Sequence, residues 1–214
     1  MLLSGEAFVL VRHAYTESSW IVSLFMRDHG LLRAVARGAR KTRSGGRGSL
    51  EPMTKIQVEV FLREGRDLGQ VRRAEVLAGA MDLFEDWPRA EVLLGMCEIL
   101  ERGLPAQSPE EETFRLVEAL MDPLREGLDP ALAWLYFVLW FSRLHGHLAR
   151  PKPSSELGGE EERLRSACLR NAPGALAGLS VSPSVVVRLA RRLEGGVTDY
   201  LGAPLRSAPS FRGR

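Results

Sequence analysis

Residues 54–63, TKIQVEVFLR, decide the fold. Ile56, Val58, Val60 and Leu62 alternate with Lys55, Gln57, Glu59 and Phe61, the period of two that a half-buried strand requires. Glu64-Gly65-Arg66-Asp67 then turns the chain into a further strand at residues 68–76. Toward the N-terminus, residues 31–37 alternate in the same way and follow an Asp28-His29-Gly30 turn. Residues 20–26, WIVSLFM, are rich in β-branched and aromatic types, and residues 6–12, EAFVLVR, supply the first strand. Five short strands joined by glycine turns predict a small barrel of the OB type, one face and flanking loops of which commonly bind oligonucleotides. A five-stranded barrel with no nucleic-acid role satisfies the same pattern, because fold alone does not settle function.

Between the third and fourth strands lies residues 33–50, RAVARGARKTRSGGRGSL, with six cations and no carboxylate. Its second part holds Gly38, Gly45, Gly46 and Gly48, which no packed element would want. A glycine-loosened, cation-loaded loop cannot bury its charges, since an unpaired guanidinium is too costly to desolvate. It must face water or an anion, and a phosphate backbone is the obvious anion because each neutralised phosphate releases counterions. The candidate contacts are Arg37, Arg40, Lys41, Arg43 and Arg47, with Arg33, Arg12, Lys55 and Arg66 around them. A solvated loop whose arginines bind nothing is the competing reading.

From about residue 78 the apolar period lengthens to that of helices. Leu93, Met96, Cys97 and Leu100 share one helical face, which makes Cys97 a core residue. Ser108-Pro109-Glu110-Glu111 reads as a helix start with serine as cap and proline in the first turn, and Asp129-Pro130 reads as another. Residues 131–141, ALAWLYFVLWF, are apolar around the whole circumference and predict a central buried helix, with its rings in the core. Residues 150–159 read as a loop and helix resumes over 160–170. Ser182-Pro183 opens a last helix with Val186, Leu189, Ala190 and Leu193 inward, and Gly195-Gly196 is expected to stop it. Arg188, Arg191 and Arg192 lie on its opposite face as a candidate second anion-binding surface, or as its wet side. The expected architecture is α+β: an OB-type barrel over residues 1–78 and an α-helical bundle over 79–214, ending in a loosely ordered tail from about 204.

The charge of the 214 residues is segregated. Residues 1–80 carry 13 Lys+Arg against 8 Asp+Glu, residues 81–130 carry 4 against 13, and residues 131–214 carry 12 against 6. A basic first block suits nucleic acid, and the acidic block should stay away from phosphate. The 2 cysteines, Cys97 and Cys168, form no disulfide framework and fit a reducing cytoplasm. No basic, apolar leader opens the chain, and its longest apolar run, the 11 residues 131–141, is about half of what spans a bilayer, so no membrane association is expected.

Catalytic constellations are missing from the pattern: there is no GxxxxGK[ST] loop, GxSxG elbow or HExxH. His145 and His147 are two apart near a helix end and should splay to different sides, so neither a metal nor a cofactor is expected. A binding protein is favoured over an enzyme.

The ordered set of features resembles the RecO family of bacterial recombination mediators. The resemblance is carried by RHAYTESSWIVSLFMRDHGLLRAVARGARKTRS, then LEPMT and GRDLGQVRRAE, in which Tyr15, Glu17, Ile21, Val22, Phe25, Gly30, Ala36, Gly38, Ala39, Arg40 and Ser44 stand where the family has like residues. Leu50, Pro52, Gly65, Leu68 and Glu75 follow, and the tail YLGAPLRSAPSF matches at Leu201, Gly202, Leu205 and Ser207. The resemblance implies an OB-fold domain and a helical domain that bind single- and double-stranded DNA without sequence preference and anneal complementary strands without ATP. It implies contacts with the C-terminal tail of the single-stranded-DNA-binding protein SSB and with RecR, assistance to RecA on SSB-coated strands, and a place at the bacterial nucleoid.

Two departures stand out. Many relatives carry a four-cysteine zinc module where residues 150–180 here hold Cys168 alone, and one thiolate cannot hold a tetrahedral zinc. Where relatives often have an acidic-basic pair, this chain has Ser19-Trp20; Trp20 either buries in the barrel, the favoured reading, or stacks on a base. The rival functions are an OB-type RNA-binding module, a protein–protein adaptor for an acidic partner tail and, with least support, a small hydrolase.

Overall fold

The computed structural model describes residues 1–40, 50–148 and 159–211. Five strands come first: β1 (Leu2–Ala14), β2 (Trp20–Met26), β3 (Gly30–Ala36), β4 (Lys55–Phe61) and β5 (Leu68–Ala78). They close into a barrel in the order β1-β2-β3-β5-β4, with β3 and β5 parallel and the other neighbours antiparallel. This is the five-stranded OB barrel expected from the alternation. β1 is longer than residues 6–12 because it serves two neighbours, pairing with β4 from Leu2 to Phe8 and with β2 from Ala7 to Ala14, and a bulge between Val9 and Val11 bends it from one to the other.

The alternation read from residues 54–63 is the burial pattern of β4, with Ile56, Val58 and Val60 inward. They join Val9, Val22, Leu24, Leu32 and Ala34 in the barrel core, against which Trp20 and Ala39 pack partly buried. Outside the barrel, Phe114 lies against Phe8 and Phe25, at ring-centroid distances of 5.0 and 5.3 Å. Gly30 is required by this packing. Its φ is +69°, and a Cβ there would sit 1.9 Å from the carbonyl oxygen of Ser108.

The helices are α1 (Met81–Phe84), α2 (Trp87–Gly103), α3 (Glu111–Arg125), α4 (Pro130–Leu144), α5 (Gly159–Arg170) and α6 (Pro183–Leu201), with a 3-10 turn at Pro173–Leu176. The chain forms two compact units, Met1–Glu85 with Cys97–Phe114, and Asp86–Met96 with Arg115–Arg214. In the second unit α4 is the buried centre, with Trp134, Phe137 and Phe141 wholly enclosed. Its N-terminus is capped as the sequence predicts, Asp129 Oδ1 accepting from Leu132 N at 3.0 Å behind Pro130. The polar tips of its rings are satisfied as burial demands: Trp134 Nε1 donates to Glu194, and Trp140 Nε1 donates to the Cys168 carbonyl at 3.0 Å.

Three expectations are corrected. α3 begins at Glu111, not around Pro109, because the chain before it is drawn alongside β3: Leu31 bridges to Ala106, and Gln107 N donates to Leu31 O at 2.9 Å. α6 runs straight through Gly195-Gly196 and stops at Gly202, whose φ is +70°. The two glycines weaken the helix by about 1 kcal/mol each relative to alanine, but the buried Val197 beyond them carries the apolar face onward. His145 and His147 do not splay, because the turn at Gly146 gathers both rings onto Phe141 and Tyr200. Burial pushes both imidazoles below their ordinary pKa.

Both cysteines are core residues. Burial raises each thiol to about 12, so neither is poised as a nucleophile or a metal ligand.

Candidate nucleic-acid interface

β3 delivers its last residues to one end of the barrel, where the β1–β2 loop meets them. Arg40 N donates to Ser18 O at 3.1 Å, and Arg40 Nη1 donates to Thr16 O at 2.5 Å, so the stem of the basic loop is fastened to residues 16–18. Trp20, the first residue of β2, sits between these pieces. The guanidinium carbons of Arg12 and Arg40 each lie 4.9 Å from its ring centroid. A cleft of about 400 Å³ opens here, lined among the described residues by Arg12, Glu17, Trp20, Ala39, Arg40 and Glu51. Trp20 packs partly buried against the barrel core, the reading the sequence favours, while part of its surface lines the cleft.

The predicted cations divide into two groups. Arg12 pairs with Glu51 at 2.7 Å, Arg33 with Glu101 at 2.7 Å, and Lys55 with Glu6 at 3.0 Å. Glu6 also accepts from Arg27, and the Lys55 and Arg27 hydrogen bonds together hold its carboxyl below the usual range despite partial burial. Sequence reasoning missed these acids because each is brought in by the fold. Arg33 is the most exposed of the three cations, its side chain 62% open to solvent, so its charge is the most strongly screened and is the one for which a phosphate competes most readily.

Arg37, Arg40 and Arg66 form the other group. Arg37 is exposed just beyond β3, and Arg66 is exposed in the β4–β5 turn, where its backbone N–H donates to Arg63 O at 3.1 Å. Neither has a carboxylate partner among the described residues. Arg40 is held by a neutral carbonyl, which leaves its charge uncompensated. The β1–β2 and β4–β5 loops are the ones OB barrels use toward oligonucleotides. Lys41, Arg43 and Arg47 lie outside the described residues.

In the second unit, Arg188 and Arg192 both bind Glu161, Arg192 at 3.3 Å, and the Glu161 side chain is only 2% exposed. Two guanidiniums on one buried carboxylate tie α6 to α5, a structural use of two members of the Arg188, Arg191 and Arg192 stripe. Among the described residues no group of three His, Cys, Asp or Glu side chains is placed to hold a metal ion. No described helix is long and apolar enough to cross a membrane.

The architecture defines an α+β protein built on a basic OB-type barrel. Comparison with known proteins makes the assignment specific. Residues 1–80 match the family model "Recombination protein O N terminal". A protein named DNA repair protein RecO from Geobacter metallireducens is 31% identical over 97% of this chain and 85% of its own length. One of the same name from Bifidobacterium animalis subsp. lactis is 33% identical over 86% of this chain and 77% of its own. A third, from Koribacter versatilis, is 36% identical over 69% of this chain, and that match spans 60% of the relative's length. The chain belongs to the RecO family.

Proposed function

We propose that this protein is a DNA-repair and recombination mediator that acts by binding, not by catalysis. It holds single- and double-stranded DNA through the phosphate backbone and so without sequence preference, and it anneals complementary strands without ATP. With RecR it helps RecA replace SSB on single strands, at the nucleoid of a bacterial cell. The observation that supports this most directly is the uncompensated pair Arg37 and Arg40 at the root of a loop that carries Lys41, Arg43 and Arg47, on the barrel of a RecO-family chain.

Annealing follows from electrostatics. Two strands lying on basic surfaces of one protein or a dimer have their mutual repulsion screened, and base pairing does the rest. The acidic tail of SSB is a second polyanion that the same cations attract, which links strand binding to partner binding.

The test is annealing of SSB-coated complementary oligonucleotides, without ATP, as salt is raised, beside the affinity for each strand. Engagement of about six phosphates gives a log–log salt slope near −4 on a single strand. A slope near zero removes the basic loop from the account. Competition between DNA and RNA strands of equal length separates the DNA reading from an RNA-binding one.

A further inference from the structure

The guanidinium groups of Arg12 and Arg40 already lie against the Trp20 ring, each 4.9 Å from its centroid, so that indole is engaged by the protein itself. Tyr15, which directly follows β1, is not. Of the phenylalanine, tyrosine and tryptophan side chains in the first unit it alone is strongly exposed, at 56%. Neither its ring nor its hydroxyl has a partner among the described residues. A single exposed apolar side chain is ordinary on a protein surface; the position of this one is not. Tyr15 N donates to Ser19 O at 3.1 Å, which closes residues 15–19 into a turn just beyond the last β1–β2 pair, Ala14 with Trp20. The same turn carries the two carbonyls that hold Arg40, Thr16 O on its Nη1 at 2.5 Å and Ser18 O on its backbone N at 3.1 Å. One tight turn therefore presents a free aromatic ring next to the residue that anchors an uncompensated guanidinium, about 3.8 Å along the chain. Arg37, exposed and unpaired among the described residues, leads into the same corner.

We propose that Tyr15 is the stacking platform of this surface, its ring taking the face of an unpaired base while Arg37 and Arg40 hold the flanking phosphates. The proposal rests on the DNA-binding reading and adds to it the means by which a single strand is told from a duplex. Stacking needs an open base face. A single strand offers one at each nucleotide, whatever the base, so binding stays independent of sequence. In a duplex each base is covered by its neighbours and only the phosphates remain to be held. The two reactants of annealing are thus gripped by stacking and charge, and the product by charge alone. Pairing of the strands removes the stacking contribution, which favours release of the product.

The test uses the full chain and three labelled ligands: a thymidylate strand of about 15 nucleotides, an abasic strand with the same number of phosphates, and a duplex of that length. The thymidylate strand is expected to bind at least about five-fold more tightly than the abasic one, the worth of one stacked base. Tyr15→Ala should bring that ratio close to one while leaving the abasic and duplex affinities as they were. It should also leave the salt slope on the thymidylate strand unchanged, because no phosphate contact is lost. Tyr15→Phe should keep most of the ratio, since phenyl still stacks. Tyr15→Leu, which keeps apolar bulk without a ring plane, is expected to lose it, and reports even if Tyr15→Ala fails to fold. A parent protein that binds thymidylate and abasic strands alike overturns the proposal and leaves backbone binding standing. So does a Tyr15→Ala variant that retains the ratio, or one that loses duplex and single-strand affinity equally, which would mean that the turn no longer places Arg40. If the parent binds none of the three ligands at low salt, the DNA-binding reading fails first and this proposal fails with it.

Discussion

Arg33 Nη2 in β3 sits 2.7 Å from Oε1 of Glu101 in α2, so the barrel neutralises one of its own candidate phosphate contacts. The pair is unequal. Glu101 is mostly covered and its Oε2 has no hydrogen-bond partner, whereas the Arg33 side chain is 62% exposed. Glu101→Gln therefore releases a guanidinium that already faces solvent. Single-strand affinity is expected to rise two- to five-fold at low salt, and the gain should vanish at high salt, where screening removes it. Stability should change by no more than about 1 kcal/mol, because glutamine still accepts from Arg33 and its neutral amide costs less to cover than the carboxylate it replaces. Fluorescence anisotropy titrations at two salt concentrations check the first point and thermal melting the second. Unchanged affinity at low salt would place Arg33 away from the strand.

Replacing Arg40, Lys41 and Arg43 together by alanine tests the loop itself. Binding to strands of all sequences should weaken alike, as loss of backbone contacts requires, and the salt slope on a single strand should shallow by about 2, since each lost phosphate contact removes roughly 0.7. Isothermal binding measured across a salt series reads both. A variant with the parent's slope would move the phosphate contacts elsewhere on the protein.

Much of this architecture is legible in the chain, and the reasons are physical. The alternation of Ile56, Val58 and Val60 survives as a buried face because a strand has only two sides, and the all-apolar run through Trp134 and Phe141 can only be a buried helix. What local pattern does not show is the partners that the fold brings from far away. Glu51 reaches Arg12 across 39 positions and Glu6 reaches Lys55 across 49, so two candidate phosphate contacts look free in the sequence and are paired in the structure. The same blindness applies to α6, where Gly195-Gly196 is a local stop signal overruled by burial of Val197, and to α3, where the Leu31–Ala106 bridge shifts the start from a well-formed cap to Glu111. The chemistry of the cleft escapes for a third reason. Trp20 is visible in the chain as an aromatic of uncertain side, but the approach of Arg12 and Arg40 to its ring exists only once β1, β2 and β3 are joined.

Gly30 tests the packing of the barrel against the segment that leads into α3. With φ at +69° and a Cβ position 1.9 Å from a backbone oxygen, alanine there has to move main chain and not a side-chain tip. Gly30→Ala is expected to destabilise by at least about 2 kcal/mol, more than the strain of a left-handed alanine alone. Urea unfolding followed by circular dichroism measures it. Gly38, with φ +74° and open space around its Cβ position, is the control: Gly38→Ala should carry only the conformational penalty, about 1 kcal/mol.

The last prediction concerns Glu194, which accepts from the Trp134 indole inside the second unit. Burial raises its carboxyl above the ordinary range, with the Trp134 hydrogen bond and the charge of Arg191 acting in the opposite direction. A carboxyl whose pKa is higher folded than unfolded binds its proton more tightly in the native state. Its stabilising contribution is therefore complete below the unfolded pKa, near 4.3, and is lost as pH rises through the higher folded value. The substitution Glu194→Gln keeps an oxygen for the indole while removing the charge that burial penalises. The variant should accordingly melt at the same temperature as the parent or slightly above it at pH 7–8, and its advantage should shrink toward pH 4. Melting curves across that range decide the matter: a variant that loses several degrees at neutral pH would mean that the ionised carboxylate, held by Trp134 and Arg191, is the form the fold prefers.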